Sequence, residues 1–161
     1  MTDPSQSQTW RRQGSRRHID RLLTQRRGVL VSMCEVLELK PFTVDKPVHE
    51  ALQDFTQMLV DYVAAGHFNL YHRIVTGRER RQAVAQAARQ VYERIAKTTD
   101  AAMEFNDRYG GEWNFHLLDK LAEDLSMLGE QLATRVELED RIITAMLGGQ
   151  ILRDHASRLD G

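Results

Sequence analysis

Few side chains in this sequence are spaced to do chemistry, and each has a plainer structural role beside it. Glu112 and His116 lie four residues apart, which would set two metal ligands on one helical face, but one pair falls short of a site. His49-Glu50 begins like the HExxH pattern of zinc proteases and does not complete it. No Glu-x-x-His pair occurs, so the ligand set of a di-iron carboxylate bundle is missing. Cys34 follows Met33 in an apolar helical face and reads as a small core residue. No Gly-rich phosphate loop and no nucleophile elbow are present. The pattern favours a protein that is not an enzyme, with no cofactor and no metal.

The densest group of unusual residues runs from Leu59 to Tyr71. It combines Asp61, Tyr62, Gly66, His67, Phe68 and Tyr71. Asp61 is next to the apolar-stripe position Tyr62, so on a helix it lies about 100° round, at the edge of the buried stripe. A carboxylate there either pairs with an arginine inside the molecule, Arg21 and Arg73 being candidates, or faces a partner. For His67 alone, a satisfied core histidine at a capped helix end is the plainer reading.

Charge is unevenly spread. The chain has 161 residues, with 22 Lys+Arg against 23 Asp+Glu. From Trp10 to Arg27 there are seven arginines and one acid, Asp20, whereas from Asp119 to Asp140 there are seven acids and two bases. Two solvated faces attracting each other across the molecule would explain this, and so would an acidic surface awaiting a basic partner. The near-zero total argues against stable nucleic-acid binding through a bulk positive field.

The elements that position these residues are helical. The three prolines, Pro4, Pro41 and Pro47, leave the rest of the chain free of helix breakers. Ile19, Leu22, Leu23, Leu30, Met33 and Leu37 share one helical face, and Leu39-Lys40-Pro41 ends that segment. A second helix begins near Asp45, with Val48, Leu52, Phe55, Leu59 and Tyr62 on its face and Gly66 as a cap or kink. A shorter apolar stretch, Phe68 to Val75, follows. The next seam is Val84, Ala88, Val91, Ile95, Ala102, Phe105 and Tyr109, stopped by Gly110-Gly111. The last stripe is Leu118, Leu121, Leu125, Leu128, Leu132, Val136, Ile143 and Met146.

These features predict an all-α fold: an antiparallel up-and-down bundle of four long helices with a short extra helix. One domain spans residues 1–161, with about 1–8 and 156–161 expected to be loose. No apolar run suits a membrane span, and the single cysteine suits a reducing compartment, so a cytoplasmic protein is expected.

Several blocks, in order, resemble the Rsd/AlgQ family of bacterial anti-sigma factors. Leu59-Val60-Asp61-Tyr62-Val63-Ala64-Ala65-Gly66-His67-Phe68, then Tyr71 and Arg73-Ile74, resembles the family's most distinctive segment. Ile19-Asp20-Arg21-Leu22-Leu23 with Arg26 resembles its first helix, and Leu39-Lys40-Pro41 the turn after it. Leu128-Gly129-Glu130-Gln131-Leu132, Arg135 and Leu138-Glu139-Asp140 resemble its last helix. The resemblance implies a bundle that binds the promoter-recognising C-terminal domain of the housekeeping sigma factor, a basic helix-turn-helix module. Binding would free core RNA polymerase for alternative sigma factors, notably in stationary phase. It also implies a binding role for the surface around Asp61.

On that basis Asp61, His67, Phe68, Tyr71 and Arg73 are expected to form or support the sigma-binding surface. Aromatic anchors would supply energy, and the acidic last helix would supply specificity and on-rate. The competing assignment is an internal polar cluster drawn from Asp20, Arg21, Tyr62, Arg135 and Glu139, which would hold the bundle instead. The alternative function is a helical binding module for another signalling or phosphotransfer protein. A monomer or weak homodimer is expected.

Overall fold

The heptad spacing of the apolar residues decides the architecture. The computed structural model describes residues 4–43, 45–66, 81–112 and 115–148. Four long helices are present among them: α1 (Pro4–Glu38), α2 (Lys46–Gly66), α3 (Gln82–Tyr109) and α4 (Leu118–Met146). A 3-10 turn, Phe115–Leu117, leads into α4. No strand occurs among the described residues, and the all-α bundle expected from periodicity is the observed fold.

Each helix buries one seam with alternating three- and four-residue steps, the spacing of left-handed bundle packing. In α2 the seam is Val48, Leu52, Phe55, Leu59 and Tyr62; in α3 it runs from Val84 through Ile95 and Thr98 to Tyr109. Helix α1 packs on α2, α2 on α3 and α3 on α4, and a narrower α1–α4 contact closes the ring. Two contacts at different levels give α1 and α4 their antiparallel sense: Arg26 reaches Asp140, and Met33, two turns on, packs over Gly129. Phe55 meets Phe105 edge-on at 5.6 Å between centroids. Deleting a buried ring such as Phe55, which has no exposed surface, removes one of the central contacts of this core.

Helix ends follow local chemistry. Helix α1 stops where Pro41 forbids a further turn; Leu39 N–H donates to the Val36 carbonyl at 3.1 Å, and Lys40–Pro41 is cis. Helix α2 starts just after Asp45, whose carboxylate accepts from the Thr43 hydroxyl at 2.8 Å. Helix α3 stops at Gly110, where an added Cβ would lie 2.4 Å from Asn106 Oδ1. Beyond α4, Gly148 takes φ +60°, a left-handed conformation suited to glycine.

Three expectations are corrected. Leu30 was expected on the core face of α1 but is 39% exposed, while Val29 and Val36 are buried. Cys34 was expected in the core and is exposed. Both follow from one cause: the seam of α1 is Ile19, Leu22, Arg26, Val29, Met33 and Val36, which turns residues 30, 31 and 34 outward. In α4, Val136 is only half-buried, because Arg135, Leu138, Glu139 and Ile142 take the inward positions. Helical backbone begins at Pro4. The Phe68–Val75 stretch and residues 156–161 lie outside the described residues.

Candidate functional site

Polar side chains from all four helices converge at one level of this apolar bundle. From α4, Arg135 and Glu139 are each fully buried, one turn apart. Arg135 Nε lies 3.3 Å from Glu139 Oε2. From α2, the Tyr62 hydroxyl donates to Glu139 Oε1. From α3, Thr98 and Thr99 accept from Arg135 Nη1 at 3.1 and 2.8 Å. Both threonine hydroxyls donate to the Ile95 carbonyl, which aims their lone pairs at the guanidinium. From α1, Arg26 Nη1 reaches Asp140 at 2.8 Å and stands 3.8 Å from Glu139 Oε1. The Arg135 guanidinium also lies over the Tyr62 ring, 5.3 Å from its centroid.

The electrostatics are those of a desolvated carboxylate with close partners. Burial pushes the Glu139 carboxyl above its ordinary value, against the opposing pull of Arg135, Tyr62 and Arg26. Burial, reinforced by Glu139, also raises the Tyr62 phenol, which stays a proton donor at neutral pH. With Glu139 and Arg135 wholly inside, no substrate reaches them. Fixing how helices align is the best-attested use of polar groups at bundle seams.

A second polar group lies at the α3–α4 surface. Arg108 pairs with Asp124 at 2.8 Å, and the Tyr109 hydroxyl donates to the same carboxylate. Burial pushes Asp124 up, but the hydrogen bonds from Tyr109 and Arg108 outweigh it and hold the carboxyl below its ordinary value. These residues edge a groove of about 280 Å³ whose floor includes Ala101, Phe105 and Leu128. Among the described residues no three His, Cys, Asp or Glu side chains converge on a metal position, and no helix is long and apolar enough to cross a membrane.

The outer surface separates charge. Arg16, Arg17, Arg21 and Arg27 are exposed on α1; Asp119, Glu123, Glu130, Glu137 and Asp140 are exposed on α4. Among the described residues, Arg26 of the basic segment pairs with Asp140 of the acidic one and stands near Glu139.

The family model described as regulator of RNA polymerase sigma(70) subunit, Rsd/AlgQ, matches residues 1–147. The chain belongs to the Rsd/AlgQ family. Its relatives include proteins named regulator of sigma D. That of Yersinia enterocolitica is 36% identical over 147 residues, covering 89% of this chain and 88% of the relative. That of Yersinia pseudotuberculosis is 33% identical over 150 residues, covering 89% and 87%. That of Escherichia coli is 33% identical over 144 residues, covering 86% and 89%. No solved structure matches.

Within this Rsd/AlgQ chain the predicted site residues divide. Tyr62, Arg135 and Glu139 come together as the buried layer. Asp20 and Arg21 do not join it: both are exposed, because they flank the α1 seam at Ile19 and Leu22. Asp61 is also exposed, and accepts from Gln57 Nε2 at 3.1 Å, one turn back on α2. It therefore faces solvent rather than the bundle interior. His67, Phe68, Tyr71 and Arg73 lie outside the described residues. Sequence reasoning omitted Arg26, Thr98 and Thr99 from the cluster. The signal was there for two of them: heptad steps along α1 and α3 pass through positions 26 and 98, but polar types at those positions break the apolar stripe.

Proposed function

We propose that this chain is an anti-sigma factor that sequesters the housekeeping sigma factor by its promoter-recognising C-terminal domain. Membership of the Rsd/AlgQ family supports the sigma factor as target. The observation that carries the choice of a basic module is the outward acidic face of α4, where five carboxylates stand exposed. Such a face complements a helix-turn-helix built to meet phosphate, and it raises the encounter rate with it. Capture of that module keeps its DNA-contacting surface from the promoter.

The binding surface proposed here centres on Asp61, together with His67, Phe68, Tyr71 and Arg73 just beyond the end of α2. Asp61 is exposed and adjacent in sequence to Tyr62 of the buried layer, so its backbone is held by the core while its carboxylate faces outward. The protein acts as a binding module without catalysis, in the bacterial cytoplasm.

The test is capture of the isolated sigma C-terminal domain by wild type and Asp61→Ala at two salt concentrations. The expected result is a complex weakened by high salt, and at least about tenfold weaker binding by Asp61→Ala with an unchanged melting temperature. A salt-insensitive complex overturns the role given to α4, and full capture by a stably folded Asp61→Ala overturns the site.

A further inference from the structure

The outward face of α1 carries an apolar stripe that the bundle does not use. Leu30 and Val31 are 39% and 51% exposed, and Cys34 is exposed beside them. With Leu23, Arg26 and Arg27 they line a shallow depression. Gly28 sits on the same stretch, with nothing within 4 Å of the position a Cβ would take.

The charges around this stripe have a direction. Arg27 is exposed one turn before Val31, and Glu35 is exposed one turn after it. A helix patterned this way is complementary to itself when reversed. In an antiparallel pair with its twofold axis beside Val31, residues equally far before and after Val31 face each other. Arg27 then meets Glu35 of the second copy, and the twofold makes that pair twice. Cys34 and Gly28 of the second copy come to the same height on opposite sides of the contact, and the missing side chain at Gly28 lets the helices approach. A parallel pair would set Arg27 on Arg27 and Glu35 on Glu35. An axis beside Cys34 would set Arg27 against the turn at Pro41 and lose both pairs.

We propose that the outer face of α1 is a self-association surface and that its occupant is a second copy of this chain, in an antiparallel twofold dimer centred on Val31. A contact of about three helical turns is at the low end of specific interfaces, on the order of 1,000 Å² in total, so the dimer is weak and concentration-dependent. This assignment does not rest on sigma binding.

Sedimentation equilibrium of the full chain tests it. Wild type is expected to shift from monomer to dimer with rising concentration, and Arg27→Glu to dimerise about tenfold more weakly. The double variant R27E/E35R recreates both pairs with reversed signs and is expected to recover wild-type association. Crosslinking tests the register. Val31→Cys in a Cys34→Ser background is expected to close a disulfide across the axis on mild oxidation. Wild-type Cys34 lies about 9 Å along the axis from its twin, at 1.5 Å per residue, and is expected not to. A monomer at every concentration overturns the proposal. So do a double variant that stays monomeric and a Cys34 crosslink faster than that of Val31→Cys. If wild type is monomeric and Arg27→Glu loses capture of the sigma C-terminal domain, the face belongs to that domain and the proposal fails. If Arg27→Glu is monomeric yet captures that domain fully, self-association is a separate property and the proposal stands.

Discussion

The Tyr62 hydroxyl donates to Glu139 across the centre of the bundle, joining two residues that are 77 positions apart in sequence. Neither side chain reaches solvent, so the bond cannot be replaced by water. It ties the end of α2, from which the chain leaves toward the proposed binding segment, to the acidic helix α4. Tyr62→Phe keeps the ring, its packing and its contact with Arg135, and removes only the donor. The expected cost is about 1–3 kcal/mol, the penalty for a buried acceptor that loses its partner. Urea unfolding with an unchanged m-value checks it.

Arg135 and Glu139 form a buried pair whose halves depend on each other. Replacing Arg135 by Met leaves a desolvated carboxylate and is expected to cost about 3–5 kcal/mol. Replacing both, as R135M/E139L, is expected to recover most of that loss, since an apolar layer needs no desolvation of charge. A double-mutant cycle in urea measures the coupling. Two single costs that simply add would contradict it.

Two carboxylates respond to pH with opposite sign. Burial holds Glu139 above the ordinary carboxylate range. The folded state therefore binds its proton more tightly than the unfolded chain. Glu139's contribution is full below the ordinary range and is lost as pH rises through its folded value. Relative to the non-titrating Glu139→Gln, wild type is expected to gain stability as pH falls from neutral toward that range. Asp124 is held below its ordinary value. Its contribution is present above the ordinary range and is lost as pH falls through its folded value. Relative to Asp124→Asn, wild type is expected to lose stability on acidification. Thermal melts of the three proteins at matched ionic strength read both signs.

Gly110 ends α3 because a side chain would collide with Asn106, 2.4 Å from its Oδ1 and 2.7 Å from its backbone carbonyl oxygen. Its backbone is right-handed at φ −84°, so the requirement is space rather than handedness. Gly110→Ala is expected to destabilise by about 1 kcal/mol or more, as overpacking does. Asn106→Ala in the same chain is expected to relieve the side-chain part of that clash. A Gly110→Ala protein with wild-type stability would show that the turn relaxes freely.

The sequence by itself determined what is local. Helical periodicity, the confinement of proline before Val48 and the stop at Gly110 specify four long helices, because a helix face and its ends depend on residues within a turn or two. The basic beginning and acidic end of the chain are equally plain in one dimension. Which face of α1 turns inward is different. Val29 and Leu30 are adjacent and both apolar, so local pattern leaves the choice open, and the shared core settles it for Val29. That choice exposed Leu30, Val31 and Cys34 and turned Arg26 toward Glu139. The tertiary structure alone brought Arg26, Tyr62, Thr98, Arg135 and Glu139 to one level. Their pairing depends on the register of four helices packed side by side, and in the unfolded chain each is hydrated alone.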